Sequence, residues 1–145
     1  MKLVALVLAI AACGAPRQNT ETLADSVRSY NDGVRWQRFS IAASRLPEAE
    51  RSRFVDEMDA RAKDVQITDY EVLRIDARGD REARVQVKMS WFHAKQQIVR
   101  ETHAMQSWER HGKLWFMVDE TFLRGDQMPG LIDRNTDDET KPKPE

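Results

Sequence analysis

The sequence is poor in features on which several classes of protein depend. It has 145 residues but a single cysteine, and its net charge is −1 at pH 7. One cysteine excludes a disulfide within the chain, so a folded domain must be stabilised by its apolar core. Acidic and basic residues are nearly balanced, and no basic face is interleaved with aromatic residues. The sequence therefore does not predict a nucleic-acid-binding protein.

Long apolar runs are also missing, apart from the one that extends from Leu3 to Ala12. This run is too short for a membrane-spanning helix, which needs about 20 residues. It follows the positive charge of Lys2 and ends in small residues. These features together are typical of a secretory signal peptide.

The four residues Ile10-Ala11-Ala12-Cys13 resemble the lipobox of bacterial lipoproteins. In that family the cysteine thiol is alkylated by a diacylglyceryl group, the peptide is cut before the cysteine, and the new amine is acylated. The resemblance implies that Cys13 carries acyl chains such as palmitate and anchors the protein in the bilayer of the cell envelope. Gly14, in place of an aspartate, favours the outer membrane, on its periplasmic or surface face. The alternative is that Cys13 is an ordinary residue of a cleaved signal peptide.

These features divide the chain into four segments. Residues 1–12 are predicted to be the lipoprotein signal peptide and residues 13–22 a polar tether. Residues 23–131 are predicted to form one folded domain. Residues 132–145 form a charged tail with prolines and nothing to bury, which predicts disorder.

The first part of the folded domain has the periodicity of helices. Apolar residues that recur every three or four positions predict one face of a first helix, and they are Leu23, Val27, Tyr30 and Val34. Pro47 is predicted to end a second, short helix and to begin a third, whose first turn is acidic. The apolar residues of these two helices are Phe39, Ala42, Ala43, Leu46, Phe54, Val55, Met58 and Ala62.

From Val65 onward the apolar residues alternate, which predicts strands. Four segments are rich in β-branched and aromatic residues: QITDYEVLRID, EARVQVKMSWFH, QIVRETHAMQSWER and KLWFMVDETFL. Helices followed by an antiparallel meander define the α+β class. We therefore expect N-terminal helices packed on a curved four-stranded sheet.

The last two strands are predicted to form a hairpin around the turn His111-Gly112, with Arg110 opposite Lys113. This register fixes which side chains share each face of the sheet. On the inner face the predicted pairs are Trp108–Trp115, Gln106–Met117, Ala104–Asp119 and Thr102–Thr121. On the outer face they are Met105–Val118 and His103–Glu120.

The segments YNDGVRWQRFSIAASRL and SWERHGKLWFMVDE give residues 23–123 a resemblance to the nuclear-transport-factor-2-like and SnoaL-like superfamily. The resemblance rests on the order of elements and on a hairpin with aromatic residues on both sides of a glycine turn. It implies a cone of cystatin or SnoaL type, with an internal pocket. The superfamily includes isomerases, dehydratases and binding modules, so the fold alone does not define a function.

The implied pocket would be lined by the inner face of the sheet. Asp119 is the best candidate for a catalytic proton shuttle, because burial among aromatic residues raises the pKa of a carboxyl group. The alternative is a structural ion pair between Asp119 and Arg100. Enzymes of the superfamily use a pocket Asp, His or Tyr in this way. The candidate pocket residues are Tyr70, Trp91, Arg100, Thr102, Gln106, Trp108, Trp115, Met117 and Asp119.

The outer face of the predicted sheet mixes apolar and charged residues, which favours a homodimer or an envelope protein as its partner. Its predicted members are Phe92, Val99, Met105, Leu114, Phe116, Val118, Phe122, Lys88, Glu101, His103 and Glu120. The alternative is that the helices cover this face. The three histidines (His93, His103 and His111) lack ligand-like spacing, so neither a metal nor a cofactor is predicted.

The leading hypothesis is a non-catalytic module of a membrane-anchored lipoprotein, which binds a small apolar ligand or a protein partner. A cofactor-free isomerase, dehydratase or hydrolase that uses Asp119 with Arg100 or Tyr70 is the second hypothesis. A structural envelope protein with a filled core is the third.

Overall fold

The computed structural model describes residues 21–131. In this part of the chain, helical elements precede four strands, which confirms the α+β class. The helical elements are α1 (Leu23–Arg35), α2 (Phe39–Ala43), a 3₁₀ turn (Glu48–Glu50) and α3 (Arg51–Arg61). The strands are β1 (Val65–Arg78), β2 (Glu82–His93), β3 (Arg100–His111) and β4 (Leu114–Gly125). None of the helices described is long and apolar enough to cross a bilayer.

Helix α1 begins with a reciprocal cap. The backbone N–H of Asp25 donates to the Thr22 hydroxyl at 3.2 Å, and the backbone N–H of Thr22 donates to the Asp25 carboxylate, also at 3.2 Å. Two N–H groups that the helix leaves unpaired are thereby satisfied. The hydrogen bonds from Thr22 also lower the pKa of Asp25.

Helices α1 and α2 pack closely where Gly33 meets Ala42. A Cβ atom added at Gly33 would lie 2.8 Å from the backbone nitrogen of Ala42. Glycine therefore permits this contact, at the cost of a less favourable residue inside the helix. Further along, Pro47 precedes the 3₁₀ turn, so α3 begins at Arg51 rather than at Pro47 as predicted.

The strands form an open antiparallel sheet in the order β1-β2-β3-β4. One face of the sheet packs against the helices and forms the core with Val27, Tyr30 and Met58. The sheet contributes alternate buried residues to this core: Val85, Val87, Met89, Trp91, Ala104, Trp108, Trp115 and Met117. The buried face is therefore the inner face defined from the sequence.

The predicted register of the β3–β4 hairpin was wrong. Its turn is Gly112-Lys113, with φ of +63° at the glycine, so Arg110 pairs with Trp115 rather than with Lys113. Glycine adopts a positive φ without the steric cost that other residues incur. The pairing then continues to Trp108, which lies opposite Met117 rather than opposite Trp115.

A β-bulge shifts the register again in β4. Trp108 pairs with Met117, but Ser107 pairs with Asp119, which leaves Val118 without a partner position in β3. One extra residue moves the side chains that follow to the opposite face, here as far as the second register shift, between Phe122 and Arg124. Asp119, predicted on the inner face, therefore lies on the outer face.

Candidate functional site

A cavity of about 490 Å³ opens between α3, β4 and the residues that follow β4. Most of its lining is apolar or aromatic: Tyr30, Phe54, Met58, Ala60, Val65, Met117, Pro129, Gly130 and Leu131. Its charged residues are Glu57, Arg61, Asp64 and Glu120. A concave, apolar cavity of this size with a few polar groups is typical of small-molecule sites.

Glu120 enters this cavity because of the bulge in β4. Its pairing position is opposite the buried Gln106, whose Nε2 donates to Glu120 Oε2 at 2.6 Å. The Tyr30 hydroxyl donates to Glu120 Oε1 at 3.3 Å. Both carboxylate oxygens therefore accept a hydrogen bond from a buried side chain.

Gln106 holds this carboxylate as part of a larger network. Its Nε2 also donates to Asn31 Oδ1 at 2.9 Å, and its Oε1 accepts from Trp108 Nε1 at 3.3 Å. Both Asn31 and Gln106 are buried. Buried polar groups that satisfy one another in this way fix a single arrangement of side chains.

Burial raises the pKa of the Glu120 carboxyl above its ordinary value. The hydrogen bonds from Gln106 and Tyr30 and the positive charge of Arg61 oppose this effect without cancelling it. Burial and the neighbouring carboxylate likewise raise the pKa of Tyr30 well above its ordinary value. Glu120 can therefore hold or accept a proton inside the cavity, while Tyr30 stays a hydroxyl donor.

The charged residues at the mouth differ from Glu120 in their exposure. Glu57 and Asp64 are exposed, whereas Arg61 is half-buried. Arg61 Nη1 donates to the backbone oxygen of Pro129 at 3.1 Å, and its Nη2 lies 2.8 Å from Met58 Sδ. Arg61 thereby ties the segment after β4 to α3 at the rim of the cavity.

Of the nine candidate pocket residues, Met117 lines this cavity, and Gln106 reaches it through Glu120. The three tryptophans fill the core instead, with exposed fractions of 1% for Trp91, 1% for Trp108 and 9% for Trp115.

Thr102 and Arg100 lie at another part of the sheet. The Thr102 hydroxyl accepts from Trp91 Nε1 at 2.7 Å and contacts the backbone oxygen of Asp126. Arg100 forms an ion pair with the Asp126 carboxylate at 3.5 Å. The alternative that Arg100 pairs with Asp119 was wrong, because the register places Asp119 opposite Ser107, far along β3 from Arg100.

Tyr70 and Asp119 are likewise outside the cavity. The Tyr70 hydroxyl donates to Asp32 Oδ1 at 2.9 Å, and burial with this hydrogen bond raises the pKa of Tyr70 to about 12. Asp119 lies on the outer face, opposite Ser107. The cavity thus contains the carboxyl group of Glu120 in place of the predicted carboxyl group of Asp119.

Helix α3 supplies the part of the site that the sequence did not predict. Phe54 and Met58 were expected to be buried, but they also form one wall of the cavity with Arg61. Their spacing of three and four residues shows that they share a helix face. It does not show how far that face lies from β4, and this distance creates the cavity.

The outer face is more polar than predicted. After the bulge, Asp119 and Thr121 occupy outer positions, whereas Glu120 and Phe122 face inward. His103 lies opposite Arg124 rather than Glu120. Phe122, which was predicted on the outer face, therefore packs against the core instead.

The three histidines lie apart. His93 is 3.4 Å from the Asp64 carboxylate, and His111 is 3.0 Å from the Glu109 carboxylate at the opposite end of the sheet. Burial and nearby positive charges lower the pKa of His103. Among residues 21–131, no group of three or more His, Cys, Asp or Glu side chains is placed to hold a metal ion.

The fold and its cavity define an α+β domain with helices on one face of an open antiparallel sheet. No protein-family model matches the chain, and no curated protein matches it in sequence. Similarity to solved structures, in contrast, is clear at the level of the fold.

One similar structure is a SEC-C motif containing protein from Rhodopseudomonas palustris, with a TM-score of 0.61 and 12% identity over 72% of this chain and 81% of that one. A conserved protein from Planctomyces limnophilus has a TM-score of 0.51 and 12% identity over 69% of this chain and 94% of its own. The intermembrane space region of the chloroplast protein ARC6 has a TM-score of 0.51 and 13% identity over 74% and 98%, respectively. At these identities the likeness extends to the fold alone.

Proposed function

We propose that this protein is a non-catalytic module that binds a small, mainly apolar ligand in the cavity between α3 and β4. The observation that carries this proposal is the cavity itself, about 490 Å³ in volume and lined mainly by apolar side chains. An open space of this kind beside a filled core argues against a purely structural role. The hydrogen-bonded Glu120 gives the cavity one fixed polar group by which to orient a ligand.

A titration with the neutral apolar dye Nile red tests whether the cavity takes up ligands. The full chain with Cys13→Ser, which removes the proposed acylation site, allows the titration without detergent. We expect saturable binding with one dye per chain. Ala60→Trp fills the cavity from α3 and should abolish binding, because Ala60 lines the cavity and is exposed on the helix.

Ser52→Trp is the matched control, since Ser52 is an exposed position on the same helix. It introduces the same ring away from the residues that line the cavity. An equal loss of dye binding in the two variants would refute the cavity as the binding site. Undiminished dye binding in Ala60→Trp would refute it as well.

We further propose that the domain is a cone of the SnoaL-like and nuclear-transport-factor-2-like type. Three features support this proposal: the order of helices before a meander, the helices on one face, and register shifts that bend the sheet. The register shifts lie in the β1–β2 pair and in the β3–β4 pair.

We also propose that Cys13 is acylated and anchors the module to the cell envelope, with the outer membrane favoured by Gly14. Both residues lie outside the described part of the chain, and the proposal rests on the lipobox sequence. The bilayer is then the first partner of the protein. Cys13→Ser should release the protein from membranes or leave an unprocessed precursor, whereas a processed variant that stays on the membrane would contradict the proposal.

A cofactor-free isomerase, dehydratase or hydrolase is the second candidate function. One observation favours it: Glu120 and the Tyr30 hydroxyl meet in an apolar cavity, and the pKa of Glu120 is raised. Glu120 takes over the role first assigned to Asp119. Any turnover should disappear in Glu120→Gln and persist in Asp119→Asn, and the reverse result would exclude this chemistry.

A homodimer or an envelope protein on the outer face of the sheet stays a prediction. The placement of Asp119 and Thr121 on that face weakens the argument for it, because both are polar. Two apolar residues at the register shifts of β4 are still exposed. They are Val118 and Leu123, with 39% and 42% of their surfaces accessible.

A further inference from the structure

We propose that the ligand of the cavity is a cation, an amine carried on an apolar or aromatic body. This inference rests on the proposed function and adds the chemical class of the ligand. It is drawn from three properties of the cavity. These are the sign of its charges, the contacts that Arg61, the one basic residue among the described lining, already makes within the protein, and the aromatic side chains of its wall.

The charges that line the cavity are mostly negative. Glu57, Asp64 and Glu120 contribute carboxylates, and Arg61 is the basic residue among the described lining. Two of the acids are exposed at the mouth, and Glu120 lies deeper. A cleft lined by one sign of charge attracts ligands of the opposite sign.

Arg61 already uses part of its hydrogen-bonding capacity within the protein. Its Nη1 donates to the Pro129 backbone oxygen, and its Nη2 lies against Met58 Sδ. The segment after β4 packs over it, since a Cβ atom added at Gly130 would lie 2.8 Å from Arg61 Nη1. An anionic ligand would compete with these contacts and with the Glu120 carboxylate for the charge of Arg61, and it would approach three carboxylates.

An ammonium group would find two kinds of favourable partner at the inner end of the cavity. The Glu120 carboxylate is partly buried, so its ionised form gains from a charge-assisted hydrogen bond more than an exposed carboxylate does. The rings of Tyr30 and Phe54 lie 6.0 Å apart between centroids with an angle of 43° between their planes. Aromatic faces attract cations, and this attraction increases when the site excludes water.

Three compounds of matched shape and different charge test the inference: tryptamine, tryptophol and indole-3-propionate. Each is titrated by calorimetry at neutral pH into the full chain carrying Cys13→Ser. We expect tryptamine to bind about 10- to 100-fold more tightly than tryptophol, which is the range expected from one hydrogen bond to a charged group. Indole-3-propionate should bind most weakly.

The variant Glu120→Gln should weaken the binding of tryptamine much more than that of tryptophol, and so remove the preference for tryptamine. Glu101→Gln is the matched control, because Glu101 is an exposed carboxylate of β3 outside the residues that line the cavity, and this variant should keep the preference. The comparison of the three compounds on the unsubstituted site decides the inference even if Glu120→Gln fails to fold.

The outcomes separate the inference from the proposed function. Equal binding of tryptamine and tryptophol, or tighter binding of indole-3-propionate, would overturn the cationic ligand while the cavity remains a binding site. No binding of any of the three compounds, together with no uptake of Nile red, would overturn both.

Discussion

Substitution of Gln106 tests whether the buried network holds Glu120 in place. Gln106→Leu removes every hydrogen bond of this side chain and keeps a similar volume in the core. It leaves Asn31 Oδ1, Trp108 Nε1 and Glu120 Oε2 without the partners they have at 2.9, 3.3 and 2.6 Å.

The expected loss of stability follows from these three groups. Leaving a neutral buried group unpaired costs about 1 kcal/mol at the low end, and a bond to a charged group contributes about 1.5–3 kcal/mol. Glu120 adjoins the cavity, so a water molecule can replace part of the hydrogen bonding that its carboxylate loses. We therefore expect Gln106→Leu to lower the free energy of unfolding by about 3 kcal/mol.

Urea denaturation followed by circular dichroism measures this loss. Met105→Leu is the control, because Met105 is the next residue in β3 and its side chain lies on the outer face. We expect Met105→Leu to change stability by less than about 1 kcal/mol. A loss below about 1 kcal/mol in Gln106→Leu would refute the network as a determinant of the site.

Three further predictions concern the cavity and the helices. Because burial raises the pKa of Glu120 in the folded protein above its ordinary value of 4.5, the folded state holds this proton more tightly than the unfolded state. The stability that this group contributes is present below the unfolded pKa and is lost as the pH rises through the folded pKa. The urea midpoint of Glu120→Gln should therefore exceed that of the wild type by an increasing amount as the pH rises above 4.5. A difference between the two midpoints that does not change with pH would contradict this. Gly33→Ala should destabilise by about 1–2 kcal/mol in urea, because overpacking against Ala42 outweighs the better helix propensity; a more stable variant would show that the contact is loose. Thr22→Ala should raise the pKa of Asp25 towards its ordinary value in an NMR titration, and an unchanged pKa would show that the cap does not form in solution.

The helices and strands follow closely from the sequence. Alternation of apolar and polar residues in EARVQVKMSWFH predicts a strand over 82–93, and β2 spans Glu82–His93. The pattern is clear because one face of the strand is buried and the other is not. The same reasoning predicts the buried face of α1, including Tyr30 and Val34.

The site could not be predicted with the same success, because it depends on one inserted position. Val118 alternates like its neighbours in the sequence, and nothing in its residue type marks a bulge. The bulge exchanges Asp119 for Glu120 on the inner face. The chemistry of the pocket therefore depends on a bulge in the backbone, and the alternation of apolar and polar residues does not predict this bulge.

The cavity itself depends on tertiary distances. The sequence predicts that Phe54 and Met58 are buried, and burial is compatible with either a filled core or an open space. The segment from Pro129 to Leu131 lines the cavity, and the hydrogen bond from Arg61 to Pro129 joins this segment to α3. This contact has no signature in local sequence.

Native mass spectrometry of the protein, extracted gently from the membranes of its host, tests the central claim most directly. The account predicts a chain that starts at Cys13, carries acyl chains and retains a small molecule that the Ala60→Trp variant lacks. A chain without lipid and without bound ligand, or a ligand retained equally by Ala60→Trp, would contradict it.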